Sequence, residues 1–161
     1  MSLTKALLHS IFGYVQVLDP LTGAKNIPLN IFPLACGDCG GCILELLALK
    51  GAAFNLSSYG FSLVHHLESA NALLVTGVLN RSMLPSLEQS WATMREPKAI
   101  IMLGACASNK GIFEKNYTIL NKAINTHDCI LNIEGCPPAP KDIVESIIKL
   151  LQNGSNPSGL R

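Results

Sequence analysis

Residues 29–49 read Leu29-Asn-Ile-Phe-Pro-Leu-Ala-Cys36-Gly-Asp-Cys39-Gly-Gly-Cys42-Ile-Leu-Glu45-Leu-Leu-Ala-Leu49. The apolar run at 29–34 predicts a buried strand, and the run at 43–49, which ends close to Gly51, predicts a helix. Three cysteines, each three residues from the next, lie on glycine-rich turns between these runs. A strand, a turn and a helix in this order indicate an α/β protein.

The rest of the chain repeats this alternation of apolar runs and helical patterns. Strands are predicted at 54–58, 72–76, 99–103 and 129–133, and helices at 61–68, 85–95, 117–124 and 140–151. Near-continuous hydrophobic strands that alternate with helices indicate a parallel sheet covered on both faces. We therefore predict a small α/β fold, a three-layer sandwich with a parallel sheet, flavodoxin-like in its winding.

The length and composition favour one domain that is buried against partners. The 161 residues fit a single core, which we place at 29–151, between an N-terminal segment at 1–28 and a polar tail at 152–161. Charged residues make up only 14% of the chain, against roughly 25% in a typical soluble domain. The net charge is +1 and the basic residues are scattered, which argues against nucleic-acid binding.

The apolar segments do not have the pattern of a membrane span or a secretory signal. The apolar run at 43–54 contains Glu45 and Lys50 and falls short of the ~18 uninterrupted apolar residues that a spanning helix needs. The first 14 residues carry one lysine and no small-residue cleavage site. We therefore expect a reducing compartment, where six cysteines indicate metal or redox chemistry rather than disulfides.

The N-terminal segment has an apolar helical face that includes Leu3, Leu7, Ile11 and Tyr14. A stripe this wide must be covered. It is expected either to contact a membrane surface or membrane-embedded subunit, or to pack on its own domain.

Four cysteines are predicted to meet at one edge of the sheet. Cys39 and Cys42 follow the first strand, Cys106 lies three residues past the strand at 99–103, and Cys136 three residues past the strand at 129–133. Ligands bind at the carboxyl edge of a parallel sheet, and adjacent glycines let the backbone approach a cluster closely. A [4Fe–4S] site is therefore the leading hypothesis. Cys36 has the same spacing from Cys39 as Cys39 has from Cys42, so Cys36 could replace Cys39 as a ligand.

Alternative roles exist for these cysteines and for the nearby histidines. Cys-x-x-Cys is equally typical of zinc, although a zinc ribbon usually places a second such pair nearby. A thioredoxin-like dithiol would leave Cys106 and Cys136 without a role. Cys129 begins an apolar run and is expected in the core. His65 and His66 are adjacent in the short predicted helix, point in different directions, and are not expected to bind metal.

Three motifs, taken together, resemble a known family. They are Cys39-Gly-Gly-Cys42-Ile-Leu-Glu45, Gly104-Ala-Cys106-Ala-Ser-Asn-Lys-Gly111-Ile-Phe113 and Gly135-Cys136-Pro137-Pro138-Ala-Pro140. In this order, and with Ala72-Leu-Leu-Val-Thr-Gly77 between the first two, they resemble the small subunit of [NiFe] hydrogenases and the homologous 20 kDa subunit of complex I. The resemblance covers roughly residues 29 to 150.

The resemblance implies a cofactor and partners. It implies one proximal [4Fe–4S] cluster held by Cys39, Cys42, Cys106 and Cys136, which relays electrons to or from a hydrogenase-type large subunit. A ferredoxin-like iron–sulfur subunit and a membrane-embedded subunit would complete the complex. The chain would then be a peripheral subunit on the cytoplasmic side of the cell membrane and part of an oxidoreductase.

The branch within the family is indicated by the first motif. Complex I subunits usually have two adjacent cysteines there, whereas this chain has the Cys-x-x-Cys of hydrogenases. The printed residues contain neither a twin-arginine motif nor cysteines after Cys136, both of which periplasmic uptake hydrogenases carry, so the chain is expected to resemble membrane-bound energy-converting hydrogenases and formate hydrogenlyase-type complexes. Cytosolic cofactor-linked hydrogenases, a complex I-like quinone oxidoreductase and a zinc-stabilised binding module are the alternatives.

Glu45 lies one helical turn after Cys42 in an otherwise apolar run. A desolvated carboxylate there would have a raised pKa suited to proton transfer, and the family commonly has a proton-path glutamate at this position. The alternative is a solvated residue on the polar stripe of the helix.

Overall fold

Five parallel strands form one sheet in the described part of the chain. The computed structural model describes residues 28–51, 54, 56–108, 110, 112 and 129–153. The strands are β1 (Leu29–Ala35), β2 (Phe61–Leu63), β3 (Ala72–Thr76), β4 (Ala99–Leu103) and β5 (Cys129–Ile133). Their spatial order is β2-β1-β3-β4-β5, with every pair parallel. This is the flavodoxin-like doubly wound order, which confirms the predicted fold class.

Three α-helices accompany the sheet in the described residues: α1 (Gly41–Ala48), α2 (Leu84–Thr93) and α3 (Pro140–Asn153). Gly40 precedes α1 with a φ of 83°, which turns the chain from the cysteine loop into the helix. Proline lies in the first turn of α2, where its missing N–H has no helical partner to lose. Two short 3₁₀ helices, Leu56–Tyr59 and Leu67–Ser69, flank β2.

The helices cover both faces of the sheet and so complete the three layers. On one face, Leu74 and Ile101 pack with Leu46 of α1 and Ile147 of α3. On the other face, side chains of β3 and β4 pack with Leu87 of α2. All five residues of β3 are buried, because this central strand has a helical layer on each side.

Two of the predicted elements are wrong. The predicted helix at 61–68 is instead the edge strand β2, which pairs with β1 over three residues, followed by the 3₁₀ helix Leu67–Ser69. Pairing with β1 and burial of Phe61, which is 1% exposed, override the helical pattern of the sequence. The predicted strand at 54–58 is largely the 3₁₀ helix Leu56–Tyr59, in which Leu56 is the one buried residue, so no alternating face exists to support a strand.

Several predictions lie outside the described residues. These are the helix at 117–124, the apolar stripe of the N-terminal segment and almost all of the polar tail. The boundaries of the domain at 29–151 therefore stay a prediction. Among the residues that the structure describes, none of the helices combines the length and the hydropathy that a membrane span requires.

The buried centre of the sheet gives a prediction about stability. Leu74 is 0% exposed whereas Leu44 on α1 is 67% exposed. Leu74→Ala should lower the free energy of unfolding by about 2–5 kcal/mol, because it leaves a cavity between packed layers. Leu44→Ala is the matched control and should leave stability nearly unchanged. Thermal unfolding of the purified protein measures both, and equal midpoints for the two variants would contradict the layer assignment.

Candidate metal centre

An open pocket lies at the carboxyl edge of the sheet, among the segments that follow β1, β3, β4 and β5. This edge contains the topological switch point between β1 and β3, where doubly wound sheets bind their ligands. The pocket encloses about 380 Å³, its mouth included. Its lining comes from the loops after four strands and consists of Gly37, Asp38, Cys39, Gly41, Cys42, Gly77, Ala105, Cys106, Gly135, Cys136 and Pro137.

The four cysteines singled out from the sequence all line this pocket. Cys39 and Cys136 are exposed, whereas Cys42 and Cys106 are half-buried. The predicted convergence of the four thiols at one edge is therefore present in the fold.

The remaining two cysteines lie elsewhere. Cys36 is 0% exposed and packs with Leu73 and Val75 in the core cluster on the α2 side of the sheet. Cys129 is buried at the start of β5, where its thiol donates to the carbonyl of Leu131 at 3.6 Å. Neither contributes to the described lining of the pocket. Cys129 is a core residue, as predicted.

Backbone hydrogen bonds hold the cysteine loops against one another. The Cys36 N–H donates to the Thr76 carbonyl at 2.9 Å, and the Ala105 N–H donates to the Gly135 carbonyl at 2.8 Å. These bonds continue the sheet ladder past the ends of the strands. The loops therefore have positions fixed by main-chain geometry.

One glycine allows the close approach of a thiol. Gly104 has a φ of 91°, and a Cβ there would lie 2.7 Å from the sulfur of Cys42. Any side chain at this position would strain the backbone and push the sulfur away.

Asp38 lies in the same lining and was not selected from the sequence. Its Oδ2 accepts a hydrogen bond from the Thr76 hydroxyl at 2.6 Å, and its Oδ1 accepts one from the Gly40 N–H at 3.2 Å. Thr76 is fully buried at the end of β3. A polar residue that ends an otherwise apolar strand was the available sequence signal, because a buried hydroxyl needs a partner.

The crowding of sulfurs and a carboxylate disfavours thiolates in the absence of a cation. Burial raises the pKa of the Cys42 thiol to about 11, and Asp38 and the three other pocket thiols add to the shift. Burial, followed by the nearby Cys136, also raises the pKa of Cys106. The described lining contains no basic side chain. A bound metal would supply the missing positive charge and favour the thiolate forms.

The remaining candidate residues lie outside the pocket lining. Glu45 is half-buried on α1, one turn after Cys42. His65 and His66 are exposed after β2, where the Nε2 of His65 lies 3.5 Å from the Nζ of Lys50. Within the described ranges, no three His, Cys, Asp or Glu side chains are grouped closely enough to hold a single metal ion.

Two solved structures of other proteins have a similar fold. A chain of the membrane-bound sulfane sulfur reductase, an archaeal respiratory membrane complex, superposes with a TM-score of 0.62 at 22% identity, over 79% of this chain and 72% of that one. A chain of an NAD⁺-reducing [NiFe]-hydrogenase superposes with a TM-score of 0.54 at 14% identity, over 81% of this chain and 94% of that one. At these identities the likeness is one of fold.

Sequence similarity identifies the family of this chain. An NADH-quinone oxidoreductase subunit from Flavobacterium johnsoniae is 34% identical over 140 residues, which cover 86% of this chain and 75% of that protein. The family model described as NADH ubiquinone oxidoreductase, 20 Kd subunit, matches residues 39–150, which span the four pocket cysteines. The chain therefore belongs to the NADH ubiquinone oxidoreductase 20 Kd subunit family of oxidoreductase-complex subunits.

Proposed function

We propose that this chain is an electron-transfer subunit that binds one [4Fe–4S] cluster through Cys39, Cys42, Cys106 and Cys136. It passes electrons between the active site of a hydrogenase-type large subunit and other iron–sulfur subunits. The observation that carries the proposal is that four thiols from three separate segments of the chain line one pocket at the carboxyl edge of the sheet.

The residues present fit an iron–sulfur cluster better than a zinc ion. All four donors are thiols, the ligand type that iron–sulfur clusters use. A structural zinc ion would draw four sulfurs to about 2.3 Å from one point. Here Cys106 and Cys136 come from two separate segments of the chain, whereas a zinc ribbon usually supplies a second Cys-x-x-Cys pair. The zinc-stabilised module is therefore the weaker alternative.

The chain's own residues would hold the group and expose it to partners. When bound, the cluster would supply one-electron transfer. Cys42 and Cys106 must lose their protons to act as ligands, so assembly would release protons from the two half-buried thiols. Cys39 and Cys136 are exposed and leave one side of the site open to a neighbouring subunit.

An apolar surface next to the site supports the existence of partners. Leu44 and Leu47 on α1 are 67% and 50% exposed, and both follow Cys42 within two turns. Exposed large apolar residues beside a functional site are typical of protein interfaces. The proposed partners are the hydrogenase-type large subunit, a ferredoxin-like subunit and a membrane-embedded subunit, in a complex peripheral to the cytoplasmic side of the cell membrane.

A complex I-like quinone oxidoreductase is the second candidate function. The similarity to an NADH-quinone oxidoreductase subunit favours it, whereas the Cys39-x-x-Cys42 spacing favours a hydrogenase-type subunit. Nickel analysis of the purified complex, together with assays of hydrogen and quinone turnover, would separate them. Nickel with hydrogen turnover would support the hydrogenase type, and quinone reduction without nickel would support the alternative.

The ligand set predicts which cysteine variants lose iron. Cys106→Ala or Cys136→Ala should remove most of the iron and acid-labile sulfide attributable to this subunit, because a missing thiolate leaves one iron open. Cys36→Ala and Cys129→Ala are the matched controls and should keep both, since these cysteines are buried away from the pocket. Metal analysis and EPR of the reduced complex measure the outcome. Loss of iron in Cys36→Ala with retention in Cys39→Ala would reassign the first ligand.

The Gly104 contact gives a test that removes no ligand. Gly104→Ala should impair cluster retention severalfold, because the new Cβ would lie 2.7 Å from the Cys42 sulfur. Gly40→Ala is the matched control, since Gly40 also has a positive φ of 83° but has no atom within 4 Å of an added Cβ. Iron content per folded subunit is the measurement. Equal losses in both variants would attribute the effect to backbone strain instead of the sulfur contact.

The role of Glu45 as a proton relay stays a prediction. Glu45→Gln should leave iron content unchanged and slow turnover by about a hundredfold, since the amide keeps the shape of the side chain but cannot carry the proton. Turnover of the complex and EPR of the cluster are measured on the same sample. Wild-type turnover would return Glu45 to a structural role.

A further inference from the structure

The carboxylate of Asp38 is fixed against the wall of the cysteine pocket. Its two oxygens accept hydrogen bonds from different elements, one from the Thr76 hydroxyl at the end of β3 and one from the Gly40 N–H in the cysteine loop. Hydrogen bonds to an ionised acceptor are stronger than neutral ones. The side chain is therefore held in one position beside the thiols.

Thr76 at the end of β3 and Gly77 directly after it accommodate Asp38. Thr76 is 0% exposed, and its side-chain hydroxyl is directed to Asp38. The next residue, Gly77, has a φ of 74°, and a Cβ there would lie 2.5 Å from the backbone nitrogen of Asp38. The absence of a side chain at Gly77 lets the Asp38 backbone approach the strand. The buried hydroxyl then reaches the carboxylate.

Asp38 supplies a negative charge that the described lining does not neutralise. It is the one ionisable side chain there besides the four thiols, and the lining includes no Lys, Arg or His. It lines the same pocket as all four proposed ligands, and its Oδ1 accepts a hydrogen bond from the N–H of Gly40, which lies between Cys39 and Cys42 in the sequence. The charge of Asp38 is therefore fixed beside the proposed ligand set.

We propose that Asp38 is a fixed negative charge that lowers the reduction potential of the cluster, and that Thr76 is the positioning residue that keeps the carboxylate in place. This inference rests on the proposed function. Addition of one electron makes the site more negative, and a nearby carboxylate disfavours that step. Net charge and hydrogen bonding around a cluster set its potential.

The test is a potentiometric titration of the purified complex, followed by EPR. The signal of this subunit's cluster is the one that Cys106→Ala abolishes. Asp38→Asn should shift its midpoint potential in the positive direction with iron content unchanged. Glu88→Gln removes the same charge from an exposed position on α2 and should leave the potential unchanged.

Variants at Thr76 separate the effect of the position of the Asp38 carboxylate from the effect of its charge. Thr76→Ser keeps the hydroxyl and should leave the potential unchanged. Thr76→Val removes the donor and should give a positive shift smaller than that of Asp38→Asn, because the released carboxylate turns toward water and is screened. If Asp38→Asn does not retain the cluster, the difference between Thr76→Val and Thr76→Ser decides.

The outcomes that overturn the inference differ from those that overturn the proposed function. An unchanged or negative shift in Asp38→Asn, or loss of the cluster from both Asp38→Asn and Thr76→Val, would give these residues a purely structural role. A wild-type complex in which no cluster signal depends on Cys106 would overturn the proposed function itself.

Discussion

The parallel register of four neighbouring strands is the constraint on which the site depends. Their last residues pair across the sheet: Ala35 with Thr76, Thr76 with Leu103, and Leu103 with Ile133. Because the strands are parallel and in register, the loops that follow them leave at the same edge. The ladder continues into these loops through the bond from the Ala105 N–H to the Gly135 carbonyl. Main-chain geometry thus brings the four cysteines together without requiring contacts among their side chains.

The cysteine pocket borders the hydrophobic core on one side and is open to solvent on the other. Cys42 packs against the core cluster that contains Leu46 and Leu74, and its sulfur occupies the space beside Gly104. Cys39 and Cys136, in contrast, are exposed. A group held by these four thiols would therefore have two ligands fixed by the protein interior and two at the surface. Such an arrangement suits a relay, because electron transfer needs both a defined position and access for a partner.

The sequence predicted those parts of the fold that have a strong local pattern. The apolar strands β3, β4 and β5 match their predicted bounds, and the position of each cysteine relative to a strand end was enough to predict the pocket. The edge strand β2 was missed because three residues paired only to β1 carry too short a signal. The contact between Asp38 and Thr76 was missed as well, since it joins residues 38 positions apart and depends on the register of β1 and β3.

Sequence spacing does not distinguish Cys36 from Cys39 as the first ligand, but the burial of their side chains does. Each lies three residues from a neighbouring cysteine, so the sequence leaves both open. In the fold, Cys36 continues directly from β1, its N–H bonds to Thr76, and its side chain enters the apolar layer on the α2 side of the sheet. There, burial raises the pKa of its thiol to about 11.

Gly37 and Asp38 then turn the chain, so that Cys39 lies in the pocket lining. The exposed Cys39 thiol at the pocket is available to a metal. The buried Cys36 thiol could bind a metal only if the core packing around it were disrupted. This difference supports Cys39 as the first ligand.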